Sequence, residues 1–159
     1  MISSMITGGI LAKYEAAFAV IPLLVTFIPM LTDTGGNAGS QSSTMIIRGM
    51  AVGEIEAGDI LRVLWKELRV GVIVGVLLGL VNYIQLVIRF PGQEMLCLTV
   101  VLSLLATVML AKTIGCVLPI AAQVLHLDPA IMAAPLITTI VDAVSLIIYF
   151  QLACSLLKI

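Results

Sequence analysis

Asp142 is the residue with the clearest capacity for chemistry, because it is the single charge in the apolar segment 129–157. A carboxylate at the centre of a membrane span costs roughly 2.5–3.5 kcal/mol on the insertion scale, so such a group faces a cavity, a partner or an ion. Ion or proton handling is therefore our first interpretation of Asp142. The alternative is a protonated aspartic acid that is hydrogen-bonded to a neighbouring helix.

A glycine-rich polar stretch, residues 33–44, is the second chemical feature. Its glycines allow the backbone to bend or helices to approach closely, and its side chains place neutral oxygens around one carboxylate. Such a ligand set suits Mg²⁺, Ca²⁺ or Mn²⁺ better than Zn²⁺ or Cu²⁺, which favour imidazole and thiolate. The alternative is a polar kink in a small-residue interface between helices. The groups concerned are Asp33, Gly35, Gly36, Asn37, Gly39, Ser40, Gln41 and Thr44.

The lone acid in the last apolar segment also suggests an assembly. One carboxylate neutralises only half the charge of a divalent cation. A two-fold homodimer would bring two copies of Asp142 to one axis, and a dication between them would relieve their mutual repulsion. We therefore predict a homodimer that binds divalent cations.

Composition determines which surroundings the protein can tolerate. Of its 159 residues, 61% are hydrophobic and 11% are charged, whereas soluble domains carry about 25% charged residues. A chain this apolar cannot cover itself with polar surface, so we predict that its outer face meets membrane lipid. The net charge of −1 and the lack of a long basic run exclude nucleic acid as an expected partner.

No residue pattern typical of an enzyme is present. His126 is the one histidine, and no phosphate-binding Gly-Lys motif occurs. Cys97, Cys116 and Cys154 lie in separate apolar segments without metal-ligand spacing, which indicates small buried hydrophobic side chains. We predict that the protein is not an enzyme and has no organic cofactor.

The elements that must position these groups are helices. We predict an all-α integral membrane protein, a five-helix transmembrane bundle with a truncated first helix and a broken, glycine-rich second helix. Pro22 and Pro29 lie within the apolar part of that second element, where each removes a backbone donor and favours a kink. Residues 54–69 carry apolar and charged side chains at helical spacing, which predicts an amphipathic helix at the interface with Trp65 as its anchor. The predicted elements are residues 1–12, 16–51, 54–69, 70–88, 95–111 and 129–157, with Lys112 at the exit of the fifth.

Basic residues predict the orientation in the cell membrane. Arg48, Arg62, Lys66 and Arg69 cluster in the connector 48–69, which the positive-inside rule assigns to the cytoplasm. Counting spans outward from that connector places the C-terminus on the extracytoplasmic side. The turn around Arg89-Phe90-Pro91-Gly92 then lies outside as well.

Two sequence blocks carry a family resemblance. The first is Pro29-Met30-Leu31-Thr32-Asp33-Thr34-Gly35-Gly36-Asn37-Ala38-Gly39-Ser40-Gln41-Ser42, and the second runs from Asp128-Pro129 through Ala134-Pro135-Leu136-Ile137-Thr138-Thr139-Ile140-Val141-Asp142. With these blocks the chain resembles the MgtE family of magnesium channels and transporters. The resemblance spans essentially the whole chain.

This resemblance implies a five-helix membrane domain that dimerises, with the ion pathway at the dimer interface. It implies that Asp142, with Thr138 one turn before it, holds a largely hydrated Mg²⁺. Oxygens of the glycine-rich stretch assist, and the matching positions are Asp33, Gly36, Asn37, Ser40 and Thr44. Asp33 and Ser40 depart from the family pattern, which leaves ion selectivity open. We expect residues 1–159 to form a single transmembrane domain, without the cytoplasmic acidic domain and CBS pair of better-known members.

The predicted function is conduction of Mg²⁺ down its electrochemical gradient by a homodimer, with Mg²⁺ as the transported ion. One alternative is a secondary transporter that exchanges divalent cations for H⁺ or Na⁺, with Asp142 as the carrier. Another is a non-conducting membrane interaction module whose polar residues only pack helices.

Overall fold

The computed structural model describes residues 2–158, apart from the side chains of residues 2, 3, 18, 57 and 130–134, and this part of the chain is helical without a strand. The predicted all-α class is therefore confirmed. The α-helices are α1 (Ile2–Lys13), α2 (Glu15–Val20), α3 (Ile28–Ala51), α4 (Ile60–Arg89), α5 (Glu94–Val124) and α6 (Pro129–Leu157). Two short 3-10 helices, Pro22–Phe27 and Ala57–Asp59, lie between them.

Helix α5 lies at the centre of the bundle and packs against α3, α4 and α6. Its side chains Val100, Leu104 and Val108 are fully buried or nearly so and meet Ile137 and Val141 of α6 in one core. Helix α1 lies along α6. The same bundle holds α3 directly against α6, and this pair carries the predicted ion site.

Three described helices are long and apolar enough to cross a membrane: α4, α5 and residues Pro135–Leu157 of α6. The protein is therefore a multi-pass membrane protein. The predicted count of five spans exceeds these three. Helix α3 has 24 residues, which is about 36 Å and a sufficient length, but its polar side chains lower its hydropathy. Helix α1 has only 12 residues.

The predicted element 16–51 is interrupted at Pro22, one of its two predicted kink positions, and not at Pro29 or in its glycine-rich stretch. The chain is one uninterrupted α-helix from Ile28 to Ala51, through all the glycines of the stretch. The interruption is upstream, where Ile21 has φ −132° and ψ 84° and the 3-10 helix Pro22–Phe27 follows. A proline disfavours helical geometry at the residue before it, which explains this position. The Tyr149 hydroxyl donates a hydrogen bond of 2.9 Å to the Leu24 carbonyl there.

Two predicted helix boundaries are wrong. The amphipathic segment is not a separate interfacial helix after Asp59, because α4 runs from Ile60 to Arg89 without interruption. Lys112 does not end a span, because α5 continues through it to Val124. Lys112 is 5% exposed and forms an ion pair inside the bundle. Its charge is therefore compensated by a protein partner without contact with water.

The predicted turn between α4 and α5 is confirmed. The Gln93 amide donates to the Phe90 carbonyl at 3.2 Å, and Gly92 has φ 83°. Pro91 precedes that glycine, and this order of residues is typical of a type II turn. The turn makes α4 and α5 antiparallel neighbours.

Candidate ion site

One face of α3 is buried, and its glycines bring the helix very close to its neighbours. A Cβ atom added to Gly39 would lie 2.9 Å from Ile137 Cγ2 of α6, and one on Gly35 would lie 2.7 Å from Thr107 Cγ2 of α5. A Cβ atom on Gly115 of α5 would overlap the Gly39 carbonyl. The predicted alternative of a small-residue interface is therefore present on this face.

The other face of α3 is polar and exposed. Asp33, Asn37, Gln41 and Thr44 are exposed, and Ser40 is half-buried beside them. Their spacing of three and four residues places them on one side of the helix. We call these five residues the polar stripe. The Thr44 hydroxyl donates to the Ser40 carbonyl at 2.9 Å. The lone pairs of the Thr44 hydroxyl oxygen can therefore still accept hydrogen bonds.

Helix α6 brings Thr138 and Asp142 alongside the start of the polar stripe. A Cβ atom on Gly36 would lie 3.7 Å from Thr138 Cγ2, which is ordinary contact. Asp33 is close enough to Asp142 for the two carboxylates to repel each other. Both α6 side chains are half-buried, and the Thr138 hydroxyl donates to the Pro135 carbonyl at 3.2 Å. The structure thus brings together Asp33, Gly36, Thr138 and Asp142.

The remaining predicted residues lie farther along α3. Thr44 follows Asp33 by eleven helical residues, which corresponds to about 16 Å along the axis. A single ion cannot contact both, so the predicted residues form a path rather than one coordination sphere. No cluster of three or more His, Cys, Asp or Glu side chains that could hold a metal lies among the described residues. Such a path suits an ion that keeps its water shell.

A buried polar cluster on the opposite face of α3 was not predicted. The Ser42 hydroxyl donates to Glu67 Oε2 of α4 at 2.5 Å. Lys112 Nζ of α5 donates to the same Glu67 oxygen at 3.3 Å and to Ser42 Oγ at 3.1 Å. From sequence, Glu67 was on the polar face of an interfacial helix and Lys112 at the end of a span. Only Lys112, which stands between two apolar segments, carried a sign that it needed a partner, whereas Glu67 lies between the charged residues Lys66 and Arg69.

The fold and this site define a multi-pass helical membrane protein with a polar path along one of its helices. A family model described as a divalent cation transporter, MgtE, matches residues 28–152. The match covers α3 and most of α6, the two helices of the candidate site. The chain belongs to the MgtE family, as its sequence blocks indicated.

Similar proteins from three bacteria agree with this family. The chain is 34% identical over 158 residues to "Magnesium transporter MgtE" of Thermus thermophilus, which covers 99% of this chain and 35% of that protein. It is 34% identical to the protein of the same name from Bacillus subtilis, over 94% of this chain and 33% of that protein. The Enterococcus faecalis protein of that name is 28% identical, over 97% and 34% respectively. The chain thus spans about a third of the length of these relatives.

Proposed function

We propose that this chain conducts hydrated Mg²⁺ through a pore formed between two copies related by a two-fold axis. The observation that carries the proposal is the exposed polar stripe of α3 beside Asp142. Charged and amide side chains at membrane depth face protein or water rather than lipid. A second copy that covers the stripe meets this requirement and supplies a matching stripe across the axis.

The stripe has the chemistry to guide an ion without stripping its water. Mg²⁺ dehydrates reluctantly and is usually bound through waters and one or two carboxylates. Asp142 and Asp33 accept hydrogen bonds from those waters at one end of the path. Asn37, Ser40 and Thr44 offer neutral oxygens beyond them, where weaker binding permits release. Gly36 lies within helical α3 and gives α6 room to approach, so its contribution is space rather than a free carbonyl.

A proton- or sodium-coupled exchanger remains the second candidate. It would use Asp142 as the carrier, because a half-buried carboxylate on a membrane-spanning helix is a common feature of ion and proton pathways. A module that only packs helices fits less well. Asp33, Asn37 and Thr44 are exposed, whereas residues that pack α3 within its own bundle are buried.

The proposed topology follows the basic residues. Arg48, Arg62, Lys66 and Arg69 lie around the connection from α3 to α4, which we assign to the cytoplasmic side of the cell membrane. The turn between α4 and α5 is then extracytoplasmic, and so is the C-terminal end of α6.

Flux measurements on proteoliposomes test the proposal. Vesicles that contain the purified chain and a Mg²⁺-sensitive dye should show saturable Mg²⁺ entry that does not depend on imposed Na⁺ or pH gradients. Asp142→Asn should raise the half-saturating Mg²⁺ concentration of that entry by roughly 10- to 100-fold, and Glu94→Gln, which removes an exposed acid outside the path, should leave it unchanged. Entry that requires an opposing Na⁺ or H⁺ gradient would favour the exchanger. Vesicles that admit no divalent cation would overturn both.

A further inference from the structure

The buried cluster of Ser42, Glu67 and Lys112 joins three helices inside the bundle. The side chains of Lys112 and Glu67 are only 7% and 8% exposed, and Ser42 is fully buried. Ser42 accepts from Lys112 and donates to Glu67, so the hydroxyl connects α3 to both charges. Each member therefore has a polar partner from another helix.

Stability alone gives a poor reason for this cluster. Two charges lose their hydration on burial, and apolar residues of similar volume often replace a buried ion pair without loss of stability. Charged side chains within membrane proteins usually serve a function. Buried ionic groups can also fix one packing arrangement among several of similar energy.

The other described contacts of α3 with its neighbours are mainly steric. Its buried face meets α5 and α6 through Gly35 and Gly39, and contacts between small residues permit close approach without directional bonds. A second polar link joins Asn82 Nδ2 of α4 to the Met30 sulfur at 2.9 Å. Thioether sulfur is a weak acceptor on a flexible side chain, so this link constrains α3 less.

Ser42 is well placed to control where the polar stripe points. It is two residues from both Ser40 and Thr44, and two helical steps correspond to about 160° around the axis. The cluster therefore holds the side of α3 opposite to the stripe. A rotation of α3 that broke the Ser42 bonds would turn Ser40 and Thr44 away from the path.

We propose that the Ser42–Glu67–Lys112 cluster is a positioning device that fixes the rotation of α3 and thereby aims the polar stripe at the ion path. Glu67 and Lys112 act through Ser42 and touch no ion. Only the link between the rotation of α3 and the ion path rests on the proposed function. The rotation itself can be measured without any measurement of transport.

Spin-label distances measure that rotation directly. The labels are placed at two exposed positions, Met45 of α3 and Leu102 of α5, after the three native cysteines have been replaced. Dilution with unlabelled protein suppresses distances between labels in different copies. Ser42→Ala should shift the distance by about 4 Å or more, or broaden it to a comparable extent, because a side chain moves by this amount when a helix turns by roughly 50°. Ser43→Ala is the matched control, because the buried Ser43 hydroxyl has no hydrogen-bond partner among the residues that the structure describes. Identical distance distributions in the two variants would overturn the proposal.

A double substitution tests the charges themselves. Glu67→Leu with Lys112→Met removes one acid and one base from α4 and α5 and should change the distance as Ser42→Ala does. Arg89→Met with Glu94→Leu removes the same charges from exposed positions of the same helices and should leave it unchanged. If the variant with Glu67→Leu and Lys112→Met does not fold, the comparison of Ser42→Ala with Ser43→Ala tests the proposal by itself.

Transport supplies the functional measurement. Ser42→Ala should raise the half-saturating Mg²⁺ concentration about tenfold, the size expected for a residue that acts through packing, and Ser43→Ala should change it by less than about twofold. The exchanged pair Glu67→Lys with Lys112→Glu should restore most of the loss seen in either single variant. A distance change without any flux in the parent would overturn the proposed function and leave the positioning role standing. A distance change with unaltered Mg²⁺ dependence would overturn the link to the path.

Discussion

The surroundings of Asp142 determine how its carboxylate is interpreted. It lies half-buried on α6, one turn beyond Thr138 and within repulsive range of Asp33. A lone carboxylate in an apolar helix has several interpretations, but a carboxylate that flanks an exposed polar stripe favours an ion path.

Removal of the Asp142 charge is the sharpest residue-scale prediction. Asp142→Asn keeps the shape and hydrogen-bonding capacity of the side chain but loses the anion that orders the waters of the ion. We expect the Mg²⁺ affinity to fall by roughly 10- to 100-fold, as for other outer-sphere ligands, with unchanged folding by gel filtration. Titration of Mg²⁺-dependent flux measures this affinity. Wild-type affinity in the variant would contradict the assignment of Asp142.

The hydroxyl of Tyr149 allows a second residue-scale prediction. It satisfies the Leu24 carbonyl in the 3-10 segment, at a fully buried position. Tyr149→Phe removes this hydrogen bond from a fully buried position, which should cost about 0.5–1.5 kcal/mol and lower the melting temperature. Tyr83→Phe is the control, and hydrogen exchange of residues 21–27 should rise only in the first variant. Equal exchange in both would show that the bond does not hold the segment.

At the scale of elements, the glycines of α3 are not equivalent. Gly39 and Gly115 meet at the point where α3 crosses α5, and no space remains for a Cβ atom on Gly115. Gly36 has ordinary contact distance to Thr138 instead. Gly39 and Gly115 therefore permit close packing of α3 on α5, whereas Gly36 leaves ordinary contact distance to Thr138.

Alanine substitutions distinguish these two roles. Gly115→Ala should separate α3 from α5 and cost about 1–3 kcal/mol, the usual range for overpacking. Gly36→Ala should leave the melting temperature unchanged or slightly raised, because alanine favours helix. Thermal unfolding in detergent compares the two variants. A larger loss of stability for Gly36→Ala would show that the crossing point is misplaced.

On the scale of the whole molecule, the exposed polar stripe is the feature that the proposed dimer would cover. The described residues of one copy contain no cluster of three or more acidic, histidine or cysteine groups around an ion. A two-fold dimer would double Asp33 and Asp142 at the axis and enclose the stripe between two protein surfaces.

This assembly predicts that Mg²⁺ stabilises the dimer. A cation that binds only the folded dimer stabilises it by mass action, by about 2.7 kcal/mol at a hundred times its dissociation constant. The melting temperature in detergent should rise with Mg²⁺, and the rise should vanish in Asp142→Asn. Monovalent salt at equal ionic strength should not reproduce it, because screening acts weakly on buried charges. Mass determination in the same detergent should give a dimer, and a monomer insensitive to Mg²⁺ would contradict the prediction.

The sequence by itself determined the features that depend on local physics. Apolar segments long enough to cross a bilayer are visible in composition, because lipid demands them irrespective of the neighbours. The turn at Pro91 and Gly92 follows from the dihedral preferences of those two residues. The family blocks around Gly36 and Asp142 needed no structure either, and α3 and α6 proved to be neighbours.

Only the tertiary structure decided which distant residues meet. Glu67 and Lys112 are 45 residues apart, and neither carries a local signal of the other, so sequence placed both at the membrane surface. The glycines of α3 predicted a break, yet the helix continues, because close contact with α5 and α6 compensates for their poor helix propensity. Pairing and close packing are properties of three-dimensional contact, and a pattern along one chain does not contain them.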